Sequence, residues 1–213
     1  PIGVGIFVEM SMFSGAAIII GRLGEVILAG HAIALNIASI VFMLPLAIGL
    51  AAATRIGNLI GEKRLIDARY SSYTSVSLCL LGAFINMIIL IFLKETFTSF
   101  YTKDVLVFNV AVNLLVFAAI FQIPDGIQMG SLGALRGYKD TFIPMIYLII
   151  SYWIFAIPFG YFLTNFGFTT ALGAKGMWIG MILGLIIFSI FIFYRLRLIS
   201  SRFIQNSLSD GKI

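Results

Sequence analysis

Six apolar runs, separated by short polar breaks, account for nearly the whole chain. They cover Pro1–Ile20, His31–Thr54, Tyr73–Leu93, Val105–Leu135, Phe142–Leu163 and Met177–Tyr194. Each is long enough to cross a hydrocarbon layer of ~30 Å as a helix rising ~1.5 Å per residue. The ~10-residue alternation that marks membrane strands is not found. The pattern predicts an all-α, polytopic membrane helix bundle of six transmembrane helices over residues 1–200, followed by a polar tail over 201–213. The breaks predict a glycine-bearing linker at Gly21–Gly30, a charged, mobile one at Gly57–Ser72, an interfacial segment at Lys94–Asp104 and a small, polar loop at Thr164–Lys175.

Composition supports a membrane setting: the chain is 61% hydrophobic and only 11% charged, with mean hydropathy +1.08, where a soluble domain carries roughly 25% charged residues. A net charge of +5 suggests nucleic acid only until the charges are placed. Six crossings put both ends of the chain on one side, together with Arg55, Lys63, Arg64, Arg69, Arg136, Lys139, Arg195, Arg197, Arg202 and Lys212; Arg22, Lys94, Lys103 and Lys175 fall on the other. That asymmetry predicts cytoplasmic ends, and it leaves nucleic acid out of the expected partners. The chain opens at Pro1 without a methionine, a leader or a basic flank, which predicts that it is the C-terminal part of a longer polypeptide. Cys79, the single cysteine, offers no disulfide framework and is expected to pack.

Two carboxylates stand inside these runs. A carboxylate at mid-bilayer costs about 2.5–3.5 kcal/mol on insertion scales, so its default reading is an ion, proton or cation site. Glu9 lies ~12 Å along its span, and Asp125 lies ~16 Å from Arg136 at the end of its own. Both fall in the middle third of the layer, where they can converge on one cavity. Gln122 and Gln128 sit on turns neighbouring Asp125, and Asn36, Asn86 and Asn113 are further polar groups within spans. Such a set, lined by Phe, Met and Ile, suits a hydrophobic cation or a desolvated sodium ion. Glu9 and Asp125 are therefore the candidate Na⁺ ligands. The bland alternative is that these groups bond to neighbouring helices. No nucleophile–base set is present for an intramembrane hydrolase, so no enzyme and no cofactor are expected.

The remaining marks are structural. Pro45, Pro124, Pro144 and Pro158 interrupt spans and are expected to kink helices, Pro45 and Pro124 closest to the candidate polar groups. Gly126–Gly130, Gly133–Gly137 and Gly176–Gly180–Gly184 repeat at four-residue spacing, a face that permits close helix approach in lipid. Tyr73, Tyr101, Tyr161, Trp178 and Tyr194 are expected as interfacial anchors and His31 as a helix-start residue at the outer interface. Asp104 is expected to cap the fourth span, and Glu62, Asp67 and Asp140 to lie in solvated turns.

Several strings resemble a known family. Gly30–His31–Ala32–Ile33–Ala34–Leu35–Asn36, running through Phe42–Met43–Leu44–Pro45 to Gly49–Leu50–Ala51–Ala52–Ala53–Thr54–Arg55–Ile56–Gly57, is similar to the eighth helix of the multidrug and toxic compound extrusion (MATE) family. Gly133–Ala134–Leu135–Arg136–Gly137–Tyr138–Lys139–Asp140–Thr141 resembles the end of its tenth helix, and Pro1–Ile2–Gly3 with Glu9 the start of its seventh. The resemblance implies the C-terminal six-helix lobe of a twelve-helix antiporter in the plasma (bacterial inner) membrane. It implies export of hydrophobic cationic small molecules against Na⁺ or H⁺, with Glu9 and Asp125 at the coupling positions. The expected partners are then such cations, membrane lipid and an N-terminal six-helix lobe of the same polypeptide. Ala32 stands where a glutamine often follows the histidine, and Pro124 before Asp125 departs from the usual pattern. A lipid-linked oligosaccharide flippase of the same superfamily is the competing expectation, disfavoured because no Lys or Arg lies mid-span. A non-transporting membrane assembly subunit is a further one.

Overall fold

The computed structural model describes residues 1–167 and 170–209. Among the described residues there is no strand. Six helices are long and apolar enough to span a membrane: α1 (Ile2–Gly21), α2 (Glu25–Gly61), α3 (Leu65–Tyr101), α4 (Val105–Gly137), α5 (Phe142–Asn165) and α6 (Ala174–Ser209). Large apolar side chains such as Phe7, Phe92, Phe100 and Ile190 stand exposed on the outside, as in a protein whose solvent is lipid.

Most helices outrun their apolar stretches. At 37 residues each, α2 and α3 are ~55 Å long, well beyond the hydrocarbon thickness. Apolarity stops where lipid stops, whereas the hydrogen-bonded ladder continues. The expected linkers therefore contract to Arg22–Gly24 and Glu62–Arg64, and Lys94–Tyr101 forms the last turns of α3 rather than a separate interfacial segment. The chain after Ser200, expected as a polar tail, stays helical to Ser209. Its residues 210–213 lie outside the described ones.

Two helix ends share one device. Lys63 and Lys139 each adopt φ 62°. The next amides, Arg64 N–H and Asp140 N–H, reach back to the Leu59 and Leu135 carbonyls at 2.9 and 3.0 Å. This is the left-handed termination usually made by glycine, tolerated here by lysine. Asp140 then accepts from Arg195 Nε at 2.7 Å with both side chains largely covered. It is thus not the solvated turn residue expected, because the α4–α5 connection folds onto α6. Tyr138 is buried against Phe203 with its hydroxyl 3.3 Å from that of Ser72. Burial raises the Tyr138 phenol above its ordinary value, so it remains a neutral hydroxyl.

The centre of the bundle is α4, packed between α2, α3 and α6. Its glycines serve two neighbours in turn. Gly126 and Gly130 abut Cys79, Ser75 and Val76 on α3, while Gly133 and Gly137 abut Gly49, Ala53 and Ile56 on α2. A second close-packed pair is α5 with α6, where Gly176, Gly180 and Gly184 lie against the backbone of Ser151, Ala156, Gly160 and Leu163. The four-residue spacing is thus realised as backbone-to-backbone contact. By contrast α1 fully buries only one line of side chains, Val8, Met12, Ala16 and Ile20.

Pro45 and Pro124 both lie inside helices that continue through them. Pro45 lacks an N–H, so the Val41 carbonyl four residues back has no intrahelical donor. Asn86 of α3 supplies it, donating Nδ2–H to Val41 O at 2.7 Å. Asn86→Ala is therefore expected to lower stability by about 1–3 kcal/mol, the cost of an orphaned buried carbonyl. Thermal unfolding in detergent would read this as a drop of several degrees; an unchanged midpoint would show that the carbonyl finds another donor.

The candidate cation pocket

A cavity of about 230 Å³ opens among α1, α2, α4 and α6. From α1 come Glu9, Met10 and Phe13, and from α4 come Phe121, Gln122 and Asp125, spaced three and four apart so that they share a helix face. Leu35, Ala38, Ser39 and Phe42 form one stripe of α2, and Trp178 closes the cavity from α6. The two acids predicted to converge do so. The wall is otherwise mostly aromatic and apolar, and among the described residues no basic one lines it.

The polar groups differ in how well they are partnered. Asp125 is only 5% exposed and has no hydrogen-bond or ion-pair partner among the described residues. The Gln122 Oε1 is buried without a donor. Glu9, half-buried, accepts from Gln128 Nε2–H at 3.3 Å, and Gln128 Oε1 in turn accepts from the Tyr152 hydroxyl at 2.9 Å. The cavity thus presents oxygen acceptors in excess of donors. Unpaired buried acceptors cost free energy until a cation or donor meets them. Glu9 also borders a second cleft of about 30 Å³, shared with Arg136, Thr141 and Met145.

Of the other residues predicted for the site, Asn36 lies apart from it. It is exposed and accepts from the Tyr101 hydroxyl at 2.7 Å, because the α2 face that carries it turns to α3 rather than to the cavity. Asn113 bonds within its own helix. Pro124 is buried beside Asp125.

Three participants escaped the sequence. Trp178, expected as an interfacial anchor, is 1% exposed and donates Nε1–H to His31 Nδ1 at 3.2 Å. His31 is likewise buried within the bundle, and it does not open α2, which begins six residues earlier at Glu25. Tyr152 lies in a π-helical stretch, Ile150–Ala156, within α5. There Ile157 N–H donates to Tyr152 O, five residues back, just before Pro158 interrupts the four-residue ladder. For Tyr152 the available signals were its place about three turns inside its span and Pro158 six residues on; for His31 and Trp178, near the starts of their runs, no such signal stood in the sequence.

The site is thus an acid-bearing, aromatic-walled pocket inside a bundle of helices long and apolar enough to cross a membrane. The MatE family model matches residues 1–162, three quarters of the sequence, and the chain belongs to that family of membrane transporters. Among its relatives, the multidrug resistance protein PmpM of Pseudomonas aeruginosa is 38% identical over 207 residues, covering 96% of this chain and 43% of PmpM. The multidrug resistance protein NorM of Vibrio vulnificus is 38% identical over 189 residues, 87% of this chain and 41% of NorM. A crystal structure of a MATE protein in the straight conformation superposes with a TM-score of 0.85 at 16% identity, covering 94% of this chain and 44% of that one; at that identity it supports the fold alone. The chain therefore spans less than half the length of the relatives it matches.

Proposed function

We propose that this chain is the C-terminal lobe of a secondary active multidrug exporter, which exchanges hydrophobic organic cations for Na⁺ or H⁺ at Glu9 and Asp125. The observation that carries the reading is the placement of both acids in one aromatic cavity, where Asp125 and the Gln122 Oε1 have no donor among the described residues. A sodium ion is a hard cation that takes oxygen ligands, and Glu9, Asp125 and the Gln122 carbonyl are such ligands. A flat organic cation would also find Phe13, Phe42, Phe121 and Trp178, whose ring faces attract positive charge. A coupling ion and a drug then compete for the same charge. Exclusive occupancy makes release of one the condition for binding the other, with no covalent step. An N-terminal lobe of the same polypeptide would complete the central cleft, with this lobe's basic end cytoplasmic in the bacterial inner membrane. The flippase alternative would need a basic cavity for pyrophosphate, and the lining here is acidic.

The test uses the full-length polypeptide in proteoliposomes, following ethidium under an imposed Na⁺ gradient and then a pH gradient, wild type beside Glu9→Gln. Movement driven by either gradient and lost in the variant is the expected result. Movement under neither gradient would turn the assignment toward the flippase, and full coupling in Glu9→Gln would remove Glu9 from the site.

A further inference from the structure

Tyr152 is 1% exposed, and among the described residues its hydroxyl has one partner, the Gln128 Oε1 at 2.9 Å. A buried phenol hydrogen needs an acceptor, and the amide oxygen is the one provided. Once that oxygen is engaged, the amide can turn only its NH₂ toward Glu9, as the 3.3 Å contact from Nε2 to Oε1 records. Turning the amide over would point its oxygen at the Glu9 carboxylate and leave the Tyr152 hydrogen without an acceptor. Both changes are unfavourable, so the phenol fixes the polarity of the whole chain of bonds. The other charged groups that border Glu9 are Asp125 and Arg136, both on α4. Neither hydrogen-bonds to it.

Local backbone makes this reach available. A π turn is wider than an α turn and re-aims the side chains it carries. Room for it exists because Gly180 and Gly184 of α6 lie against the Ser151–Ala156 backbone, Gly184 within 2.8 Å of the Ser151 carbonyl for any added Cβ. The Tyr152 ring is also seated edge-on against Phe188 of α6, centroids 5.8 Å apart, which holds the hydroxyl in place.

We infer that Tyr152 is a positioning residue for the cation site: acting through Gln128, it holds a hydrogen-bond donor on Glu9 and so keeps that carboxylate oriented as an anionic ligand. The inference rests on the proposed role of Glu9 in cation coupling. Tyr152→Phe keeps the ring and its packing while freeing the amide to invert.

The experiment measures initial rates of ethidium transport by the full-length protein in proteoliposomes over a range of concentrations of the driving cation. Wild type establishes first that a cation gradient drives transport; if none does, it is the functional proposal that fails. With a driven wild type, Tyr152→Phe is expected to raise the half-saturating cation concentration about tenfold with the maximal rate largely kept. Gln128→Leu is expected to do the same, and adding Tyr152→Phe to it should change nothing further, since the two act as one unit. An unchanged half-saturation in Tyr152→Phe would overturn the inference. So would an effect that persists undiminished in the Gln128→Leu background, which would mark a packing role. Should Tyr152→Phe fail to insert or fold, Gln128→Leu alone decides: a wild-type cation dependence there would dismiss the chain of bonds.

Discussion

Exchanging Asp125 for asparagine in the full-length protein is expected to reduce cation-coupled ethidium efflux by about two to three orders of magnitude at low driving-ion concentration. A unit charge 4 Å from a bound cation contributes about 4 kcal/mol at an effective dielectric constant near 20, and 1.4 kcal/mol is a factor of ten. The estimate falls near the upper end of that range because Asp125 is almost fully covered and water screens it little. Asparagine keeps the volume and one carbonyl, so the fold should survive, and thermal unfolding alongside transport would establish this. A folded Asp125→Asn protein with wild-type coupling would move the ion site out of this lobe.

The largest structural effect is expected at Gly133. A Cβ there would fall on the backbone of Gly49, 2.8 Å from its carbonyl carbon and 2.9 Å from its Cα, and one at Gly49 would come within 2.9 Å of the Met129 carbonyl. Neither neighbour is a flexible side-chain tip, so the helices themselves must separate. Gly133→Ala is expected to cost roughly 3 kcal/mol, at the upper end for overpacking, and to lower the unfolding midpoint by about 6–12 °C. Gly133→Val should leave little folded protein after detergent extraction. A stable Gly133→Val protein would show that α2 and α4 part more readily than their contact suggests.

Much of this arrangement was legible in sequence, for definite reasons. Helix depth is arithmetic, so Glu9 and Asp125 could be placed at one level from their distances to span ends, and Gln122 and Gln128 followed from their spacing around Asp125. Glycine spacing likewise anticipated the close faces of α4 and α6, although not that α4 divides its glycines between two partners. Hydropathy does not reveal where a helix ends once it leaves lipid. Hydropathy likewise gave no hint that His31 and Trp178 would be buried inside the bundle and bonded to each other. Asn36 was misplaced because a helix's rotation about its own axis is set by all its neighbours at once. Tyr152 was hidden by its π turn, which breaks the 3.6-residue period on which any assignment of faces depends.

The two acids rest on supports of unequal stiffness. Asp125 belongs to α4, whose backbone is pressed against α2 and α3 through glycine. Glu9 belongs to a helix that fully buries a single row of side chains, where Gly3 and Gly5 face open space and Gly15 meets only the tip of Ile157. Fewer close backbone contacts hold α1 than hold the interlocked helices behind it. In the proposed exchange, the separation of the two carboxylates, and with it the size of cation they could jointly hold, then depends most on how α1 is seated.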